Sequence, residues 1–373
     1  MIRVKYPTQE CPDYEDLYMD VFRAGITSMQ NKWNNLLRSN VRMRVFPLRL
    51  NDILLADYPH LVSIYNTYNS VVGSLSDQTI DKIKSEVFNY DKWSPEIAYY
   101  FMRPDHGFKF STCHYCDMAY INAYEVDVEK EAIFFLNTAS DDELKSKLNT
   151  CSSNSINAYK AVRPYISRHD FDKVATSLRC GPQKFEKTFF PSRNMRRHFD
   201  IEHVLPKSVC PLVGLSLYNF VPSCQVCNSK LKQTRVLGPL GVPIGKLSPT
   251  SSSYDFDTMV KFRLVPKNGC SFSGFPTKEQ DKYQLDLDTS MDCDYEYNVR
   301  LFKLRERYDY HKIEALHWLE MKYCYPDSRI SMMANALRDS QFDTQKIKDD
   351  IFQLSIGTLR HRVFGKMKQD ILK

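Results

Sequence analysis

The stretch Phe199-Asp200-Ile201-Glu202-His203-Val204-Leu205-Pro206-Lys207 reads as a short strand that Pro206 stops. A little further on comes Leu217-Tyr218-Asn219-Phe220-Val221-Pro222-Ser223-Cys224-Gln225-Val226-Cys227-Asn228-Ser229-Lys230. Together the two stretches carry what metal-assisted hydrolysis of a phosphodiester requires. The Glu202 carboxylate and the Asn228 carboxamide are hard oxygen ligands suited to Mg²⁺. The imidazole of His203 takes a proton from water near neutral pH. Lys230, Lys232 and Arg235 stand just beyond, placed to hold a phosphate or neutralise developing charge. Alternation along a strand sends Glu202 and His203 to opposite faces, so a bend or a strand end is expected at His203 if both are to reach one phosphate. Asp200 shares the face of Glu202 and is a candidate to replace or assist it.

Eleven cysteines cannot all pair with one another, and no secretion signal opens the chain, so paired cysteines read first as metal ligands. Two pairs have ligand spacing: Cys113-His114-Tyr115-Cys116, and Cys224-Gln225-Val226-Cys227, which begins 108 residues after Cys116. Two such knuckles point to one structural zinc held by Cys113, Cys116, Cys224 and Cys227. His106 and His114 are alternative ligands, although four cysteines already complete a tetrahedron. Cys11, Cys151, Cys180, Cys210, Cys270, Cys293 and Cys324 stand alone and read as core or neutral positions.

The 373 residues are 43% hydrophobic and 13% aromatic, rich enough to fold and too rich for a disordered polymer. No apolar run is long enough to span a bilayer, so a cytoplasmic protein with no membrane partner is expected. The net charge of +6 is concentrated: Lys184 to Lys246 holds ten basic residues against three acidic ones. Such a concentration suits a phosphate-binding surface, and Arg196, Arg197, Lys207, Lys230, Lys232 and Arg235 are its candidates for contact with nucleic acid. His198, beside two arginines, reads as a surface or substrate-side residue. The acidic string Asp286, Asp288, Asp292, Asp294 and Glu296 reads as a solvated turn before a helix, with a second metal site as the less favoured alternative.

The fold expected is α+β, mostly helical, with a zinc-braced nuclease core and a β-hairpin embedded in it. Residues 1–103 form a helical N-terminal region for docking or regulation. Apolar spacing of three and four predicts one helix from Tyr14 to Leu37, others over 58–72 and 77–88, and a helix start at Ser94-Pro95. Val41 to Phe46 alternates and reads as a strand or extended link. Residues 104–246 hold the core, with a helical insertion at about 129–180. Residues 247–373 supply the hairpin, from Met259–Val265 and Tyr283–Leu287, and three or four C-terminal helices broken at Tyr325-Pro326. Gly238-Pro239, Gly241, Pro243 and Gly245 mark a loop.

The central stretch resembles the HNH, or ββα-metal, nucleases. That family ends its first strand on an acidic residue and a histidine, follows with an asparagine in the connecting loop, and starts a helix on a final asparagine or histidine. Glu202-His203, Asn219 and Asn228 match, with sixteen and nine residues between successive anchors. A second CxxC directly before the last asparagine, as in Cys224 to Asn228, is also found in many members. The resemblance implies that His203 is the general base, that Glu202 and Asn228 bind a catalytic Mg²⁺ or Mn²⁺, and that Asn219 braces the loop. It also implies a structural zinc that fastens a unit too small to fold alone.

Cys113 to Cys116 with Tyr120-Ile121-Asn122, Leu215 to Cys224, and the closing Phe364 to Leu372 are similar to bacterial HNH proteins of Septu-type and retron-linked phage defence. In that group the nuclease works beside an ATPase of the ABC or AAA kind, and this chain has no phosphate-binding glycine loop of its own. The expectation is therefore an endonuclease that cuts DNA in antiviral defence. The alternatives are an RNA nuclease directed at tRNA on the same site, or a zinc module that binds nucleic acid or an ATPase without cutting.

Overall fold

The apolar spacing of the N-terminal region makes two helices where one was expected, Tyr14–Asp20 and Ile26–Ser39. The break falls at Gly25, where a side chain would meet the Trp93 ring at 2.8 Å. The stretch read as extended, Val41–Val45, is a 3₁₀ turn. Its buried residues Met43 and Phe46 lie three apart, the period of that helix, and the Asn40 side chain caps it by accepting from the Arg42 amide. The helix Tyr58–Val71 has Asp57 as N-cap, and Asp77–Lys82 runs on into a wider turn at Ile83–Val87. Tyr90–Met102 starts four residues before Ser94, capped by Asn89, and carries Pro95 inside. Pro95 cannot donate to the Asp91 carbonyl, and the Ser94 hydroxyl lies 3.4 Å from that oxygen instead.

In this computed structural model, the residues described are 1–149, 152–161, 163–165, 167–191, 194–238, 244–271, 276–337, 343–353 and 362–372. Pro239, Gly241 and Pro243 of the expected loop lie outside them, as do Cys151 and Arg193. The chain forms two compact units, residues 123–197 and residues 1–122 with 198–373.

The inserted unit opens with strand β1 (Ala123–Glu125) and closes with β2 (Met195–Arg197), which pair antiparallel with Tyr124 opposite Arg196. Among the described residues five helices run between them, Val128–Thr138, Asp141–Leu148, Ser153–Lys160, Phe171–Ser177 and Pro182–Phe189. Ser140 and Glu143 form a reciprocal capping box at the second of these. Leu136, Leu144, Ile156, Tyr159 and Val174 centre a core that belongs to this unit.

In the other unit, β3 (Asp200–His203) pairs antiparallel with β4 (Phe220–Ser223), and His203 faces Phe220 across the ladder. A turn of helix, Val226–Lys232, follows β4 directly. The N-terminal helices back this hairpin with aromatic rings: Phe101 lies 6.0 Å from Phe220, and Tyr100 and Phe22 pack on Tyr18. They also hold the connecting loop, since the Tyr18 hydroxyl donates to the Leu215 carbonyl (2.6 Å) and the Ser216 hydroxyl to that of Ile53 (2.8 Å). A second hairpin pairs β5 (Lys261–Pro266) with β6 (Tyr283–Asp288). Six helices between Tyr295 and Leu372 follow among the described residues, with Pro326 separating Lys312–Cys324 from Asp327–Leu337. The architecture is thus mostly helical with small two-stranded sheets. Among the described residues no helix is long and apolar enough to cross a membrane.

Candidate active site and metal centre

The two knuckles meet. The sulfurs of Cys113, Cys116, Cys224 and Cys227 all lie within 4.8 Å of one another, with Cys116 and Cys224 at 3.9 Å. Four thiolates on a tetrahedral zinc stand about 3.8 Å apart, so the donor set and its spacing fit that ion. Each knuckle is built to aim its sulfurs. In the first, the Cys113 amide donates to Ala119 and the Asp117 amide to Cys113, and Asp117 takes a left-handed conformation, φ 55°. In the second, Cys224 and Cys227 straddle the start of the helix after β4. Amides satisfy the sulfurs further: that of Cys224 points at Cys113 Sγ (3.3 Å) and that of Met118 at Cys116 Sγ (3.5 Å).

The helix Leu304–Tyr310 closes the cluster, with Arg307 donating to Cys227 Sγ (3.4 Å) and Tyr308 to the Cys116 carbonyl (2.6 Å). A positive charge beside a thiolate set lowers the cost of burying it. Nothing in the sequence singles out Arg307, because its role comes from a fold that brings residues 80 positions apart together. His106 and His114 do not join the cluster; their Nδ1 atoms meet the carbonyls of Tyr100 and Ile2. Beside Cys224 an open cavity of about 620 Å³, lined by Met118, Val226, Arg307, Tyr310 and His311 among others, faces solvent. Its lining includes none of the residues read as catalytic.

His203 ends β3, and its ring turns away from Glu202. The ring packs edge-on against Tyr90 (4.6 Å) and Phe220 (5.0 Å). Its Nε2 lies 2.9 Å from the Gly214 carbonyl, which only accepts, so that nitrogen carries the proton. The lone pair is therefore on Nδ1, for which no partner occurs among the described residues. Burial, aided by Lys207 and Lys232, pushes the pKa of His203 down to about 3 and keeps the ring neutral. Lys207 Nζ stands over the Tyr90 ring at 4.7 Å, so Tyr90 touches both a cation and the histidine. The N-terminal region, read as one for docking or regulation, thus contributes a ring to this site.

Asn219 is fully buried and fully used. Its Oδ1 accepts from the Leu205 amide (2.7 Å), and its Nδ2 donates to the carbonyls of Leu205 and Val213 (2.9 Å each). It thereby fixes the loop between β3 and β4 and touches no open space.

On the other face of β3 the structure makes two rungs with the following helix. Asn228 Nδ2 donates to Asp200 Oδ2 at 3.0 Å, and Lys232 Nζ donates to Glu202 Oε1 at 2.6 Å. Glu202 and Asn228, expected to share a catalytic metal ion, thus each have a side-chain partner of their own, Lys232 and Asp200. The four-residue step from Asn228 to Lys232 matches the two-residue step from Asp200 to Glu202, and the register of helix on strand decides who meets whom. Lys232, read as a phosphate contact, needs the same correction: it is fully buried and also donates to the His203 carbonyl (2.8 Å). Burial raises the Glu202 pKa and lowers that of Lys232, and each charge partly offsets the shift of the other.

These two hydrogen bonds involve none of the remaining cationic candidates. Lys230 and Arg235 are exposed, the latter donating to the Leu231 carbonyl. Arg196 and Arg197 belong to β2 of the inserted unit, where Arg196 pairs with Glu131 at 3.7 Å. His198 is exposed. The acidic string is a set of ion pairs: Asp286 and Glu296 with Arg305, Asp288 with Arg263, and Asp292 and Asp294 with Lys246. Comparison with protein-family models, curated proteins and solved structures finds no match to this chain.

Proposed function

We propose that the chain is a metal-dependent endonuclease of the HNH kind that hydrolyses DNA phosphodiester bonds, and that it serves as the effector of a bacterial anti-phage defence beside an ATPase partner. The observation that carries the reading is a neutral His203 with a bare Nδ1 at the end of one strand of a strand–loop–strand–helix unit. Asp200 and Asn228 offer oxygens where β3 meets the following helix, His203 stands at the strand end, where alternation of faces stops, and four cysteines staple the helix. His203 Nδ1 takes the proton of a water whose oxygen bonds to phosphorus as the bond to the 3′ oxygen breaks. The hard oxygens of Asp200 and Asn228 are the donors a Mg²⁺ or Mn²⁺ ion takes, and such an ion stabilises charge on the leaving oxygen. Asn219 and the Gly214 carbonyl hold the loop and the imidazole in place. Lys230 on this helix and Arg235 just after it are exposed cations, and they hold the backbone without reading its sequence.

The test is incubation of the zinc-loaded chain with plasmid DNA and with total RNA, in Mg²⁺, in Mn²⁺ and in EDTA, beside His203→Ala. Metal-dependent nicking of the plasmid, reduced at least a hundredfold in the variant, is expected from the loss of a general base. Cleavage of RNA alone would move the substrate to RNA. Equal cleavage by the variant would remove His203 from its role, and no cleavage of either substrate, with or without an ATPase partner, would leave a zinc-stabilised binding module.

A further inference from the structure

Resting on the nuclease reading of this face, one group has no part in the chemistry as described: Lys232. It is fully buried, and Glu202 beside it is 5% exposed. An ammonium in such a place is held only by strong partners. Here they are Glu202 Oε1 at 2.6 Å and the His203 carbonyl at 2.8 Å. Among the described residues Lys232 is also the only hydrogen-bond partner of the Glu202 side chain. The carboxylate thus already has a full positive charge in contact, delivered by the helix that carries Asn228. A divalent cation approaching the same oxygen meets that charge at a separation where like charges repel strongly in a dry site.

We propose that Lys232 is the resident cation of this site, so that the ammonium and a divalent metal ion are alternatives at the Glu202 carboxylate. The ion then enters on Asp200 and Asn228, which are half-buried, and gains Glu202 only when the lysine withdraws. The site is held assembled and charge-balanced by its own chain, and its affinity for metal is set low by a built-in competitor. The helix Val226–Lys232 both carries Lys232 and is anchored through Cys227, so a partner that shifts this turn shifts the competition.

The experiment is Mn²⁺ binding to the zinc-loaded full-length chain, followed by electron paramagnetic resonance, for wild type, Lys232→Met, Glu202→Gln and the double variant. Lys232→Met is expected to bind Mn²⁺ at least tenfold more tightly than wild type, and the gain is expected to vanish when Glu202→Gln is added. Wild-type affinity in a folded Lys232→Met chain would overturn the proposal. A measurement on the unaltered chain guards against a variant that fails to fold. Acylation of lysines read by mass spectrometry should leave Lys232 protected in EDTA and label it several times more in saturating Mn²⁺, and protection unchanged by the metal would overturn the proposal equally. Plasmid cleavage run alongside separates the two readings. A metal-dependent nuclease whose Mn²⁺ affinity ignores Lys232 defeats this inference alone. A chain that cuts nothing yet gains affinity on losing Lys232 defeats the nuclease reading alone.

Discussion

Three hydrogen bonds from one carboxamide decide the conformation of the loop between β3 and β4. Asn219 satisfies the Leu205 amide and the carbonyls of Leu205 and Val213 while fully buried from solvent. Asn219→Ala leaves those groups unpaired, and each orphaned buried group costs about 1–3 kcal/mol. A loss of about 3 kcal/mol or more is therefore expected, read as a lower urea midpoint with an unchanged slope. Asn219→Asp should be no better, because a carboxylate accepts from the amide but cannot donate to either carbonyl; stability close to wild type in either variant would mean the loop is held by other contacts. A bracing role for this asparagine was expected only because its place between His203 and Asn228 matches that of the loop asparagine in the nucleases the sequence resembles. The partners of Glu202 were not legible in the sequence, because a lysine flanked by Leu231 and Gln233 looks like any surface lysine, and only the seating of a helix on a strand buries it. For the same reason Tyr90 could not be joined to His203: 113 positions separate them, and nothing local marks the contact.

At the scale of elements, the hairpin of β5 with β6, the helix Tyr58–Val71 and the break at Tyr325-Pro326 appeared where they were expected. One long run, Tyr14 to Leu37, was broken before Ile26, and one misreading was short. Six residues, Val41 to Phe46, fit period two and period three about equally well, and burial of Met43 and Phe46 chose three. The acidic string that begins in β6 shows how an element is fastened. Arg305 donates to Asp286, to the Leu287 carbonyl and to both oxygens of Glu296, joining β6 to the helix Tyr295–Leu301. Arg305 and, after it, Arg300 and Thr289 hold the Glu296 carboxyl down to about 2. A carboxyl depressed in the folded state stabilises it above the unfolded value, about 4.3, and that contribution drains away as pH falls toward 2. Arg305→Met should thus cost about 2 kcal/mol at pH 7, the order of charged hydrogen bonds. The deficit should shrink between about pH 4.5 and pH 2. Urea midpoints of both chains at pH 7 and pH 3 check the sign, and a deficit constant in pH would assign it to packing of the arginine stem.

At the scale of the whole molecule, the arrangement is one unit interrupted by another. The knuckles lie 108 residues apart in the chain because 75 residues, 123–197, fold between them around a core of their own. The basic excess of 184–246 is accordingly split: Lys184, Lys187, Arg196 and Arg197 belong to the insertion, while Lys207, Lys230, Lys232, Arg235 and Lys246 belong to the unit that carries the cysteines. The composition revealed the charge but not this division, since the ends of the insertion are three-residue strands too short to show a period. Those ends state what removal requires. Glu125 and Met195 are partners across the β1–β2 ladder, so a two-residue Asn-Gly turn between them closes the hairpin in its existing register. A chain in which that turn replaces residues 126–194 is expected to fold, to melt in one cooperative transition and to bind one zinc per chain through the same four cysteines. Circular dichroism and metal analysis decide it. A shortened chain that folds without zinc would mean that the insertion helps to bring the knuckles together. One that does not fold would mean that the core of residues 1–122 and 198–373 depends on the insertion for its stability.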